Sequence, residues 1–226
     1  MPYSPERQYR EFAATEFVPV AREAVVDEEG NEQPQEPTYS VRGYFTTFRD
    51  EYPLYPDFYE SIDPHAFDEC DMSDVIFQVN HEGFVYARTR NNTLKITIDD
   101  HGGHCVADLS GSKQGREDLY EAITNGLIDR MSFGFLIAED GFEWEEDDEG
   151  VIHSRITKIS KLFDVAAIAG FPANNATEIS ARAYLDGAIE AKQKQQEMLQ
   201  RAEQERAEAL SRRRRAAMAL KLAQIR

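Results

Sequence analysis

Apolar and polar positions alternate in short runs along most of the chain, and the alternation is lost after Gly170. The clearest run is RMSFGFLI, Arg130 to Ile137. Met131, Phe133, Phe135 and Ile137 fall on one side, and Ser132, Gly134 and Leu136 on the other. That period of two belongs to a strand with one bulky, buried face. Shorter runs of strand character occur at Gln8 to Val20, Ser40 to Phe48, Asp74 to His81, Phe84 to Arg90, Asn92 to Asp100, His104 to Ser110 and Lys158 to Gly170. Glu82-Gly83 and Gly102-Gly103 stand where hairpin turns are expected. Glu139 to Ile156 reads as an acidic hairpin, with Trp144 in one arm and Val151 to Ile156 in the other. Glu51 to Phe67 carries three prolines and reads as an irregular crossing with a helical turn near Pro64.

Helical spacing appears twice. Leu119, Ile123 and Leu127 lie four apart within Lys113 to Ile128, with Gly126 near the end, which predicts one central helix. The last 43 residues, from Tyr184, contain no proline and are rich in Ala, Gln, Glu and Arg. Their helix propensity is high, but the apolar residues keep no steady heptad. A long, mostly exposed helix is expected there. About eight turn-separated strands favour a barrel. The predicted architecture is therefore mainly β, a barrel core with surrounding helices over residues 1–183 and a long helical extension over 184–226. The polar stretch Asp27 to Pro37 fits a solvated loop.

Charge narrows the partners. The formal total is −17; residues 184–226 hold 10 basic and 6 acidic side chains, so residues 1–183 carry −21. An acidic body of that kind repels a phosphate backbone, which argues against nucleic acid as a partner. No apolar run approaches the roughly 18 residues of a membrane span. MPYSPERQYREF lacks the apolar core of a secretory signal. Two cysteines, Cys70 and Cys105, suggest no disulfide framework. A soluble, intracellular protein is the expectation.

Several residues could carry chemistry. Ser132 either packs against a neighbouring layer and does nothing more, or is presented beside Gly134 for reaction. His81 ends an apolar strand, where an imidazole can act as a general base. Asp164 lies in KLFDVAAI and would be costly to bury without a partner; that partner could be a histidine, which it would orient, or a cation such as Arg155. The segment HGGHC, with His101, His104 and Cys105, has zinc-ligand residue types. Its position in a Gly-Gly turn makes the side chains diverge, so no metal and no cofactor is expected. Phosphate-binding glycine loops and a G-x-S-x-G elbow are absent.

Taken together, RGYFTTF, IDPHAF, DVIFQVNHE, ARTRNNTLKITIDDHG, ADLS, RMSFGF, Trp144, KLFDVAAI and the Phe171-Pro172-Ala173 ending resemble the prohead (capsid maturation) protease family of HK97-type tailed bacteriophages. The resemblance runs from about residue 8 to 183. It implies a serine endopeptidase with a β-barrel fold similar to herpesvirus assemblin. It also implies Ser132 as nucleophile, His81 as general base and Asp164 as third member, where the family commonly has Glu. With that pattern, Gly134 reads as an unobstructed approach to an exposed Ser132. Arg130 and the backbone near Arg155 are the candidate oxyanion donors. The expected partners are the major capsid protein and scaffold segments as substrates, and other copies of the chain through self-association. The expected location is the host cytoplasm, inside the assembling procapsid. The competing expectation is a catalytically inactive assembly factor that uses the barrel and tail for contacts.

Overall fold

The computed structural model describes residues 7–13, 17–20, 38–48, 51–169, 185–190, 193–194 and 196–207. Among these residues the alternating runs become thirteen strands in three sheets. The first sheet has the order β1 (Gln8–Ala13), β10 (Arg130–Ile137), β13 (Ile159–Ile168), β6 (Ile76–Val79) and β7 (Glu82–Arg88). The second has the order β11 (Phe142–Glu146), β12 (Ile152–Ile156), β5 (Phe58–Ile62) and β4 (Tyr52–Tyr55). The third has the order β2 (Val18–Pro19), β3 (Ser40–Thr47), β9 (Gly102–Asp108) and β8 (Leu94–Ile98). The fold is mostly β. Each sheet is open, with a different strand at either edge, so the predicted closed barrel is corrected to three packed sheets. Closure depends on register and shear around the whole ring, which strand spacing does not encode.

The bulky side of β10 faces inward. Met131, Phe133 and Phe135 are fully buried, and the Phe45 ring of β3 lies 5.5 Å from Phe133. Phe67 joins both rings at 6.2 Å. Burying each of these aromatics contributes about 1.5–3 kcal/mol relative to exposure, and this cluster fixes which side of β10 is left for Ser132.

Three local expectations change. Glu51 to Phe67 forms β4 and β5 rather than an irregular crossing. Pro53 is tolerated because β4 is an edge strand, where a missing amide donor breaks no ladder, and the intervening turn carries Asp57 at φ 63°. Gly102 and Gly103 begin β9 instead of forming a turn. A Cβ on Gly102 would lie 2.0 Å from the Thr46 carbonyl oxygen, and one on Gly103 would lie 2.4 Å from the Phe45 ring. The predicted central helix is short: a π-helical turn, Gln114–Leu119, runs into α1 (Tyr120–Thr124). Leu119 and Ile123 are buried, but the chain leaves the helix before Leu127, which is exposed. Surrounding helices are accordingly few.

The chain divides into two compact units, Ser4–Ala181 and Arg182–Arg226 with Met1–Tyr3. In the second, the described residues 185–190, 193–194 and 196–207 are helical. One long helical extension is not supported, in keeping with the missing heptad; Met198 and Leu199 are exposed. Asp27 to Pro37, the Phe171-Pro172-Ala173 ending and residues 208–226 lie outside the described residues.

Candidate active site

Strand pairing brings together residues that are far apart in sequence. On β10, Ser132 is opposite Glu11 of β1 and Ala166 of β13, while Gly134 is opposite Tyr9 and Asp164. Directly opposed residues share a sheet face. The face that carries Ser132 therefore also carries Tyr9, Glu11 and Asp164. On β6, parallel to β13, Gln78 is opposite Ala166 on the same face.

His81 reaches this face from a turn. The sequence places the β6–β7 hairpin at Glu82-Gly83, but Val79 pairs with Glu82, so the turn residues are Asn80 and His81. Their φ values are 52° and 60°. Positive φ at both central positions is the requirement of a primed two-residue turn, and Asn and His are enriched there among non-glycine residues. The turn is tied to the end of β13. The Asn80 amide donates to the Ala167 carbonyl at 3.0 Å, and the Ala169 amide donates to Asn80 Oδ1 at 2.9 Å.

The imidazole then bridges the other two candidates. His81 Nε2 is 2.6 Å from Ser132 Oγ, and His81 Nδ1 is 2.6 Å from Asp164 Oδ2. Gln78 Nε2 also donates to Asp164 Oδ2, at 3.0 Å. Arg7 Nη2 donates to the other oxygen, Oδ1. Tyr9 packs against the imidazole with ring centroids 4.5 Å apart. Asp164 is fully buried. Burial alone would raise its carboxyl, but the hydrogen bond and charge of His81, with Arg7 and Gln78, hold it below the ordinary value. A carboxylate kept ionised against one imidazole nitrogen, with a hydroxyl against the other, is an arrangement that can draw the hydroxyl proton onto the ring.

The sequence reading is corrected at Ser132 and Gly134. Ser132 is only 2% exposed, and the gap at Gly134 is not an open approach. A Cβ there would lie 2.2 Å from Asp164 Oδ1 and 2.8 Å from Arg7 Nε and Nη2. The missing side chain makes room for the carboxylate and the guanidinium. Arg155 does not pair with Asp164; its guanidinium binds Asp63. Arg130 shares the Ser132 face and pairs with Glu11 at 3.4 Å.

The other histidines stand apart from this cluster. His65 pairs with Asp68 at 3.1 Å, and His153 with Glu51 at 3.0 Å. The rings of His101 and His104 both pack on Tyr44. Cys105 is buried, with its thiol pushed up to about 12 by that burial. Among the described residues, no three His, Cys, Asp or Glu side chains are grouped as metal ligands, and no helix is long and apolar enough to cross a membrane.

Sequence reasoning missed Arg7, Tyr9, Glu11 and Gln78. Gln78 was readable as the polar exception inside VIFQV. The residues of β1 gave no signal beyond alternation, because their partners lie more than a hundred residues away.

Residues 25–194 match the family model described as Caudovirus prohead serine protease. Among solved structures, the bacteriophage T4 capsid assembly protease, gp21, is similar with a TM-score of 0.42 and 12% sequence identity, over 73% of this chain and 99% of that one. No curated protein matches the chain.

Proposed function

Because the chain belongs to the caudovirus prohead serine protease family, we propose that it is a serine endopeptidase of capsid maturation, with Ser132, His81 and Asp164 as its catalytic triad. The observation that carries this reading is the imidazole of His81, within 2.6 Å of both Ser132 Oγ and Asp164 Oδ2. Ser132 Oγ attacks the scissile carbonyl carbon as its proton passes to His81 Nε2. Asp164 keeps Nδ1 protonated and stabilises the imidazolium. His81 then returns the proton to the leaving amine as the C–N bond breaks, and water hydrolyses the acyl-serine by the same route. Arg130, beside Ser132, is the candidate for stabilising the oxyanion.

The substrates in this proposal are the scaffold segments and the major capsid protein, together with other copies of this chain, which associate and cut one another inside the procapsid in the host cytoplasm. Residues 1–183 form the protease domain. Residues 184–226 act as a tether to the scaffold.

The test is intact-mass analysis of the wild-type chain beside Ser132→Ala, each incubated for a day with and without the scaffold. Wild type is expected to shorten and the variant to stay whole, with cleavage reduced roughly 10⁴-fold or more. The rate should also fall toward acid pH, as the need for a neutral general base requires. Equal shortening of both chains, or a wild type intact even with scaffold, would overturn the assignment; the latter outcome would favour the inactive assembly factor.

A further inference from the structure

We infer that Arg7 is a positioning residue for the Asp164–His81 pair, so that the N-terminal strand completes the catalytic site. The inference rests on the triad proposed above. Residue 7 lies before the span matched by the family model, and nothing in that match assigns it a role.

The contact is built rather than incidental. Arg7 crosses the face of β10 just where Gly134 has no side chain, and its guanidinium lies over Tyr9 at 5.1 Å and over Phe163 at 4.7 Å. It donates to the one Asp164 oxygen that His81 and Gln78 leave unused. Its Nε is buried with no hydrogen-bond partner among the described residues. The guanidinium is therefore held there through Nη2 on the carboxylate and by the two rings, with Nε contributing no hydrogen bond. Clamped through Oδ1, the Asp164 carboxyl group cannot rotate, and Oδ2 stays aimed at His81 Nδ1.

The charge of Arg7 acts as well. The groups around the imidazole are Asp164 from β13, Ser132 from β10, and Tyr9 and Glu11 from β1, with Arg130 paired to Glu11 at 3.4 Å. Asp164 and Glu11 both favour the imidazolium. Arg7, bound to Asp164, opposes it. Removing that positive charge leaves the site more negative, and the acid limb of activity moves in the alkaline direction. A residue that only stabilised the fold would reduce the number of active molecules and leave the limb in place.

The test measures kcat and KM against pH for the full-length wild type, Arg7→Gln and Arg7→Lys on a scaffold-derived peptide. Rates are expressed per serine titrated to completion with a fluorophosphonate, so misfolded molecules drop out. Arg7→Gln is expected to lower kcat about 10- to 100-fold with little change in KM. Its acid limb should move in the alkaline direction. Arg7→Lys, which keeps the charge but not the planar fork, should hold the limb at the wild-type position and recover part of kcat. An Arg7→Gln limb that coincides with wild type overturns the inference, as does an Arg7→Lys limb displaced as far as that of Arg7→Gln. A wild type that the fluorophosphonate fails to label at Ser132 overturns the triad itself, a failure distinct from either.

Discussion

A single methyl group at position 134 tests how closely the site is packed. Its Cβ would sit 2.2 Å from Asp164 Oδ1 and 2.8 Å from two nitrogens of Arg7, a collision that neither a strand nor a buried carboxylate can absorb. Gly134→Ala should therefore displace Asp164 from His81 and destabilise the fold by about 1–3 kcal/mol. Its kcat should fall by more than the loss of folded protein explains, which a comparison of circular dichroism melts with rates per titrated serine would reveal. Asp164 also carries a pH dependence of stability. Its folded carboxyl lies below the ordinary value, so it contributes stability above its unfolded value of about 4 and loses that contribution as pH falls through the folded one. Between about pH 5 and pH 3, the urea midpoint of wild type should drop more steeply than that of Asp164→Asn. Parallel curves would mean that the carboxylate adds nothing to folding. The residue scale was partly legible. Ser132 and Asp164 stand out from their strands as polar exceptions, whereas the reason for Gly134 appears only when a carboxylate on one neighbouring strand and an arginine beside the other meet in the space it leaves.

Alternation gives the N-terminal strand two roles at once. Tyr9 and Glu11 of β1, with Arg7 just ahead of it, line the Ser132 face, while Gln8 and Arg10 point inward and are 1% exposed. Arg10 forms a bidentate pair with the fully buried Glu60 of β5, with Nη2 to Oε2 at 2.7 Å, and Tyr52 of β4 donates to the same carboxylate at 2.5 Å. Burial would lower the Arg10 value, but Glu60 raises it above that of a free guanidinium. This pair fastens β1 to a different sheet and so holds Arg7 and Tyr9 at the site. Breaking one side leaves a buried charge unpaired. Arg10→Met or Glu60→Leu alone should cost about 3–5 kcal/mol, and the double variant should recover most of it. A double-mutant cycle in urea would measure the coupling, and additive losses would show that the two charges act independently. β10 was readable from period two alone, and β13 and the arms of the β11–β12 hairpin from their apolar residues between turn signals. The β6–β7 turn was displaced by one pair because Glu-Gly is the stronger turn signal locally. Asn80 and His81 take the turn because β13 supplies hydrogen bonds to Asn80, and no local signal encodes that.

At the scale of the whole molecule, strand count suggested closure that the three open sheets do not have, since each sheet's edges depend on pairings between distant segments. Charge segregation, by contrast, is plain from composition: residues 1–183 carry −21 and residues 184–226 carry +4. The candidate site draws only on Arg7, Tyr9, His81, Ser132 and Asp164 and their neighbours, all within the unit Ser4–Ala181. The described residues 196–207 are helical and exposed, and Arg212 to Arg215 give the chain end a block of positive charge. A basic segment in a chain whose remainder is so acidic can recruit an acidic partner. Removing 196–226 leaves the span 25–194 of the family match whole. The truncated chain should therefore cut an unstructured scaffold peptide at a rate within about two-fold of wild type, because none of the transition-state contacts is touched. Its incorporation into procapsids should be lost, or become strongly salt-dependent if a few residual charges still serve. Quantifying the protease in purified procapsids separates the two roles: normal incorporation with normal cutting would leave the tail without a tethering function, and lost cutting would place part of the catalytic apparatus in the tail.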